Sequence, residues 1–189
     1  MSRSICVFSS SSDELDDVYF DHAQRLGELI GSGGDTLVYG GGKIGLMGRM
    51  AVAVQRTGGR VVGVIPESMK TVELAYYEAD ELVVTETMRQ RKHVMDQRAD
   101  AFVAMAGGFG TLEELAEVIA LKLLKFHDKP IVIMNTNGFY DKMLELFEQF
   151  VQKRFAKQKY LALYDVVGGP DDVMMVLQEK LNDRPRVVD

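Results

Sequence analysis

The chain of 189 residues is long enough for one domain with a substantial core, and its apolar and charged fractions, 47% and 26%, are ordinary for a globular protein. A net charge of −6 argues against nucleic acid or an anionic membrane as the main partner, and no apolar run reaches membrane-spanning length. Cys6 is the only cysteine, so no internal disulfide can form, and we expect a reducing, cytoplasmic location. The three histidines lack metal-ligand spacing, so we expect no metal site.

Short apolar runs alternate along the chain with longer stretches of helical periodicity. The runs predict strands at residues 5–8, 37–39, 61–65, 82–84, 101–105, 131–134 and 166–167. The periodic stretches predict helices at residues 15–30, 46–56, 87–99, 111–126, 139–155 and 171–181. This alternation predicts a single α/β domain over residues 1–181, with a polar tail over 182–189. We expect a doubly wound, Rossmann-like, mostly parallel sheet with helices on both faces, which binds ligands beyond the carboxyl ends of its strands.

A first glycine-rich corner, YGGGKIGLMG at residues 39–48, follows the second predicted strand. Backbone amides at such a helix start favour an anion, and glycine lets the anion come close, so Gly41 and Gly42 are candidate substrate contacts. The alternative is that the glycines only permit a tight turn. A P-loop is excluded because Lys43 is not followed by Ser or Thr. A dinucleotide fingerprint is disfavoured because the corner does not follow the first strand, and only Glu67 could bind the ribose hydroxyls.

A second corner of the same design follows the strand at 101–105 and opens a helix. Its residues are Gly108, Phe109, Gly110, Thr111, Leu112, Glu113 and Glu114. The two corners could close on one ligand, with Thr111 capping the helix and offering its hydroxyl to an anion. Alternatively, Thr111 and Glu114 form a capping box, in which the carboxylate only satisfies a backbone amide.

The densest group of basic side chains is MRQRKH, at residues 88–93 of a predicted helix. A solvated cationic face is the simplest interpretation of such a group. However, this helix leads into the strand that ends at the second glycine corner. Arg91 and Lys92 could therefore lie near the ligand.

Together, the segments at 39–48, 88–92 and 107–114 resemble the LONELY GUY (LOG) family, the cytokinin riboside 5′-monophosphate phosphoribohydrolases and their bacterial relatives. The resemblance spans roughly residues 5–155, and three motifs in the family's order are specific where one would not be. The family motif P-G-G-x-G-T-x-x-E ends on Glu114, although Ala106 replaces its proline.

The basic motif of the family ends on Arg91 and Lys92, and Glu73 matches a substrate-contacting glutamate. The resemblance implies hydrolysis of the N-glycosidic bond in a purine nucleoside 5′-monophosphate, whose base is adenine or an N6-modified adenine. Glu114 would stabilise charge at C1′, activate water or attack C1′, and Arg91 would polarise the substrate beside Lys92. The corner at 108–111 would hold the phosphate.

The resemblance further implies that the enzyme needs no metal or redox cofactor and forms a homodimer. Two other classes remain open. One is a nucleotide carrier or sensor that keeps the fold without chemistry, and the other is a nicotinamide-dependent oxidoreductase. Relatives labelled as lysine decarboxylases do not change this interpretation, because no residue here marks a pyridoxal phosphate site.

Overall fold

The structure, a computed structural model, describes residues 2–182. Within them the strands are β1 (Ser4–Phe8), β2 (Thr36–Tyr39), β3 (Arg60–Pro66), β4 (Glu81–Thr85), β5 (Ala101–Ala104), β6 (Ile131–Met134) and β7 (Asp165–Val167). The helices are α1 (Asp17–Ser32), α2 (Gly45–Arg56), α3 (Met88–Arg98), α4 (Phe109–Leu123), α5 (Asp141–Gln152) and α6 (Pro170–Asn182). Short 3-10 turns cover Glu67–Met69, Thr136–Gly138 and Gln158–Leu163.

The strands form one parallel sheet in the order β4-β3-β2-β1-β5-β6-β7. From β1 the chain builds outward to the edge strand β4, and then returns through α3 to form β5 on the other side of β1. The strand order therefore reverses between β1 and β5, and doubly wound sheets bind ligands outside the carboxyl ends of the strands at such a point. The predicted Rossmann-like fold is confirmed.

Each face of the sheet carries its own apolar core, because neighbouring residues of a strand point to opposite faces. In β1, Val7 packs in the core formed with α1, α2 and α6, whereas Cys6 packs in the core formed with α3 and α4. The strands at the centre of the sheet are buried on both faces, which is why the sequence shows continuous apolar runs rather than alternation.

The predicted strand ends lie within one residue of the observed ones, whereas the helix ends differ by up to three. Helices α4 and α5 end earlier than predicted because Lys125 and Arg154 each have φ of 66°, which a right-handed helix cannot accommodate. Helix α6 continues to Asn182, the first residue of the predicted tail, and residues 183–189 lie outside the described part. None of the described helices is both long and apolar enough to cross a membrane.

Candidate active site

Arg91 of α3 and Glu114 of α4 form a buried ion pair next to the sheet. Arg91 Nη1 donates to Glu114 Oε1 over 2.9 Å, and each side chain is only 11% exposed. Arg91 Nε also donates to the carbonyl oxygen of Val64 in β3, over 3.0 Å. Two helices and one strand therefore hold the guanidinium in a fixed position, and the bonds to it are charge-assisted.

The start of α3 explains why Arg91 points inward. A capping box fixes this start, because the Thr87 hydroxyl accepts from the amide of Gln90 and the Gln90 side chain accepts from the amide of Thr87. Arg91 and Met95 are the buried residues of α3 and stand one turn apart. The predicted solvated face is thus only part of the helix, since Arg89 is exposed and Arg91 is not.

Glu114 lies in surroundings that disfavour its charge. Burial raises the pKa of Glu114 above its ordinary value, and the neighbouring Arg91 offsets only part of this rise. A carboxyl group with a raised pKa beside a fixed cation is typical of catalytic sites, although structural ion pairs show it as well.

The capping roles predicted for Thr111 and Glu114 are both wrong. Helix α4 begins at Phe109, two residues earlier than predicted, with Gly108 in the N-cap position and no side chain capping it. Thr111 therefore lies inside the first turn of the helix, and its side chain packs against Gly107. The carboxylate of Glu114 binds Arg91 rather than a backbone amide.

The second glycine corner is open to solvent. A Cβ added to Gly108 or Gly110 would meet no atom within 4 Å, and the Phe109 side chain between them is 92% exposed. The first amides of a helix have no acceptor within the helix, and here no side chain supplies one. This helix start can therefore accept an anion from solvent.

The first glycine corner, by contrast, is closed by neighbouring loops. The amide of Gly45 donates to Asp13 Oδ1 over 2.8 Å, and the amide of Leu46 donates to the carbonyl oxygen of Ser10 over 3.1 Å. The start of α2 is thus already occupied by protein acceptors. At Gly41 and Gly45 the structure supports the alternative that glycine permits a tight turn, because their φ angles of 74° and 63° favour glycine.

The segment at residues 71–76 folds back onto this first corner. Gly42 forms an antiparallel bridge with Ala75, and the amide of Tyr76 donates to the carbonyl oxygen of Gly41 over 2.9 Å. Glu73 is exposed on this segment, and its own amide and the Thr71 hydroxyl lower its pKa. Within the described part of the chain, no hydrogen bond links Glu73 to the Arg91–Glu114 pair.

Lys92 connects α3 to the outer side of α4. Its ammonium group pairs with Glu113, and with Glu117 at 3.0 Å. Burial lowers the pKa of Lys92, but the hydrogen bonds to these two carboxylates outweigh that effect and leave the pKa above its ordinary value. Lys92 is therefore a protonated cation whose acidic partners lie on α4.

A cleft of about 210 Å³ opens between α3 and α4, and Glu114 borders it. Phe8 and Phe102, whose rings are stacked 5.9 Å apart, contribute to its lining together with Val118. Solvent can therefore approach the Glu114 side chain from this side. Among residues 2–182, no three His, Cys, Asp or Glu side chains lie close enough together to hold a metal ion.

Comparison with known proteins gives the site a family context. A family model described as "possible lysine decarboxylase" matches residues 47–177. The probable cytokinin riboside 5′-monophosphate phosphoribohydrolase LOGL2 of Oryza sativa subsp. japonica is 37% identical over 98% of this chain and 76% of its own length. The cytokinin riboside 5′-monophosphate phosphoribohydrolase LOG2 of Arabidopsis thaliana is 37% identical over 94% of this chain and 83% of its own length. The chain belongs to the LONELY GUY family.

Solved structures share the fold of this LONELY GUY protein at lower identity. The molybdenum cofactor carrier protein of Chlamydomonas reinhardtii aligns with a TM-score of 0.74 and 20% identity, over 97% of this chain and all of that one. The molybdenum cofactor binding protein of Rippkaea orientalis aligns with a TM-score of 0.73 and 20% identity, over 96% of this chain and 98% of that one. At this identity the likeness concerns the fold alone.

Sequence reasoning missed several contacts that shape the site of this LONELY GUY protein. The Asp13 carboxylate accepts from the start of α2, and the Val64 carbonyl accepts from Arg91. Both hydrogen bonds join segments that are distant in sequence, so no local sequence pattern predicts them. Glu117 could have been found, because it follows Glu113 by four residues and extends an acidic row along one side of α4. A basic helix that precedes an acidic row suggests such pairing.

Proposed function

We propose that this protein hydrolyses the N-glycosidic bond of a purine nucleoside 5′-monophosphate, with AMP or an N6-modified relative as substrate. The products are the free base and ribose 5-phosphate. The observation that carries the proposal is the buried Arg91–Glu114 pair, which stands beside the uncapped start of α4. The relatives, which are named as cytokinin riboside 5′-monophosphate phosphoribohydrolases, support the same reaction class.

The reaction requires stabilisation of a cation. As the bond from C1′ to the base breaks, its electron pair leaves with the base nitrogen, which takes up a proton, and C1′ gains oxocarbenium character. The oxygen of a water molecule then bonds to C1′ and loses a proton. A carboxylate on the side of C1′ that the water approaches stabilises the developing positive charge or accepts that proton. Glu114 has this role in our proposal.

Arg91 fixes Glu114 and binds the substrate. Its Nε and Nη1 atoms are engaged by Val64 and Glu114, whereas its Nη2 atom has no protein acceptor among the described residues. A guanidinium held in this way retains donors for a ribose or base oxygen without having to reorganise. A flexible side chain would have to lose conformational entropy to do the same.

The substrate phosphate binds at the start of α4, where Gly108, Gly110 and the neighbouring amides face open space. A phosphate in this position gains from the unpaired amides and from the positive end of the helix. The start of α2 is a poorer candidate, because Asp13 and Ser10 already accept from its first amides. This difference also disfavours a dinucleotide bound across the first corner.

The other candidate substrate contacts take secondary roles. Lys92 supplies positive potential and braces Glu113, and the partnership with two carboxylates keeps it protonated. A protonated lysine is not a nucleophile, which argues against Schiff-base chemistry of a decarboxylase at this residue. In our proposal Glu73 and the backbone of Gly41 and Gly42, which are bonded to each other's segments, contact the base or ribose.

We further propose that two copies of the chain associate through α4. Leu112, Ala116 and Leu123 recur on one side of this helix at spacings of four and seven residues, and all three are exposed, with Leu112 at 40% and Leu123 at 37%. An apolar stripe that faces solvent is unusual for a surface helix and fits a partner that covers it. Because the stripe begins at the second glycine corner, the two sites of a dimer would lie near the interface.

We also propose that the protein is located in the reducing cytoplasm, which fits its single buried cysteine, Cys6.

The decisive experiment measures release of free base, by chromatography, from AMP, N6-modified AMP, other nucleoside monophosphates and NAD. Release of base from an adenine nucleotide, with equimolar ribose 5-phosphate, is the expected result. A protein whose melting temperature rises with AMP but which releases no base would instead be a carrier or sensor. Stabilisation by NAD alone would favour the oxidoreductase.

A further inference from the structure

Gly40, the first residue after β2, lies against the guanidinium of Arg91. A Cβ at residue 40 would stand 2.1 Å from Arg91 Nη2 and 3.3 Å from its Cζ. Real Cβ atoms essentially never approach another heavy atom closer than 3.0 Å. The missing side chain at residue 40 therefore provides the space that the guanidinium fills.

Backbone conformation does not explain a glycine at this position. Gly41 and Gly45 have positive φ, but Gly40 does not, so an alanine could adopt its backbone without strain. Gly108 and Gly110 differ in another way, since each faces open space. Of these glycines in the two corners, Gly40 is the one whose Cβ would collide with the proposed catalytic arginine.

Retreat of the guanidinium from a methyl group at residue 40 would strain the hydrogen bonds of Arg91. Its Nη2 atom would have to move by about 0.9 Å to reach the 3.0 Å limit, the difference between 3.0 and 2.1 Å. Arg91 Nε is bonded to Val64 and Nη1 to Glu114, so such a shift strains one bond or both. The Met47 sulfur, 3.2 Å from the same Cβ position, narrows the remaining space.

We infer that Gly40 is a positioning residue, which sets the orientation of Arg91 and thereby the pairing of Arg91 with Glu114. The expected effect on kcat rests on the proposed function, but the effect on the Arg91–Glu114 pair can be tested without measuring turnover. The long Arg91 side chain can move aside, so Gly40→Ala should fold while the pair is displaced. A displacement of about 1 Å in a catalytic group can lower a rate by about a hundredfold.

The first readout is the ionisation of Glu114, which carbon-detected NMR of the folded chain can monitor and which the Glu114→Gln variant assigns. The charged or titratable groups that act on this carboxyl are Arg91, Lys92 and Glu113, and it in turn acts on the Cys6 thiol. Of these groups, Arg91 is the one that Gly40→Ala should displace. Because this cation lowers the pKa of Glu114, moving it away from the carboxyl should raise that pKa. Gly168→Ala is the matched control, because a Cβ there meets no atom within 4 Å.

The second readout is a double-mutant comparison in the Arg91→Lys background. A lysine has no Nη2 atom, so Gly40→Ala should then change neither the melting temperature nor the titration of Glu114. In the native background we expect a kcat for base release lowered by about a hundredfold, with a smaller change in KM. If Gly40→Ala alone fails to fold, the double variant should recover folding.

The inference is overturned if Gly40→Ala leaves the Glu114 titration at the native value. It is also overturned if the effects of Gly40→Ala are equally large with lysine at residue 91, or if both variants are unfolded, because residue 40 then acts through something other than Arg91. These outcomes differ from failure of the proposed function. If the proposed function is wrong, the native protein releases no base, but the titration of Glu114 still shows whether residue 40 positions Arg91.

Discussion

The guanidinium of Arg91 donates to the carboxylate of Glu114 over 2.9 Å, with both side chains largely buried. Truncating one partner of such a pair leaves the other buried with neither a counter-charge nor a hydrogen-bond partner, whereas Glu114→Gln removes the negative charge but keeps an oxygen that can accept from Arg91. The first two predictions follow from this difference.

Replacing Glu114 by glutamine should lower kcat by about a hundredfold or more, because an amide cannot stabilise positive charge at C1′. The melting temperature should fall less than in Arg91→Ala, since the glutamine oxygen can still accept from Arg91. Steady-state kinetics on AMP and a thermal melt of the same preparation test this prediction. Near-native turnover would mean that Glu114 has only a structural role.

Replacing Arg91 by alanine should abolish turnover and destabilise the fold by about 3–5 kcal/mol, because the Glu114 carboxylate then remains buried without a partner. Arg89 is the control, since it belongs to the same basic run but is exposed, and Arg89→Ala should retain most activity. Arg91→Lys separates the effect of the positive charge from the effect of the hydrogen-bond geometry. Lysine keeps the charge, but its ammonium group cannot bond to Val64 and Glu114 at once as the planar guanidinium does. Equal behaviour of Arg89→Ala and Arg91→Lys would contradict the assignment.

The pH dependence of kcat/KM should report Glu114. Burial raises its pKa above the ordinary value of 4.5, so protonation on acidification begins at a higher pH than for an exposed glutamate. The carboxylate is the active form, and activity should therefore fall as the pH drops through this raised pKa. The acid limb should disappear in Glu114→Gln, and an unchanged limb would assign it to another group.

The 5′-phosphate should be required for efficient reaction, because the uncapped start of α4 offers amides to an anion. Each lost charge-assisted contact costs on the order of 1.5–3 kcal/mol, so adenosine should react at least about a hundredfold less efficiently than AMP. The comparison is kcat/KM for both compounds on one preparation. Comparable values would show that neither glycine corner binds a phosphate.

A charge in the exposed apolar stripe of α4, formed by Leu112, Ala116 and Leu123, should separate the proposed dimer. Leu123→Arg should shift the sedimentation coefficient from that of a dimer to that of a monomer, because the arginine would be buried in an apolar interface. Met175→Arg is the matched control, since Met175 is also an exposed apolar residue, but on α6. A native protein that already sediments as a monomer would rule out the dimer.

The sequence was informative wherever local composition decides the outcome. Buried parallel strands are continuous apolar runs, so their positions were predicted to within one residue. The start of α4 was misplaced because a glycine rather than Thr111 occupies its N-cap, and glycine carries no side-chain signal for that role. The family resemblance implied that Arg91 and Glu114 belong to one site, and the structure brings them into contact. Their pairing depends on which side of α3 faces the sheet, and a helix with only two buried residues, Arg91 and Met95, has no periodicity that reveals it.

The burial of Cys6 has a practical consequence for spectroscopy. Cys6 is fully buried in the core between the sheet and helices α3 and α4, and burial raises the pKa of its thiol well above its ordinary value, so very little reactive thiolate exists at neutral pH. We therefore expect the native thiol to react much more slowly with maleimides or spin labels than a cysteine at an exposed position. Pairs of cysteines introduced at exposed positions can then be labelled selectively, and distances between them can be measured without first removing a native thiol.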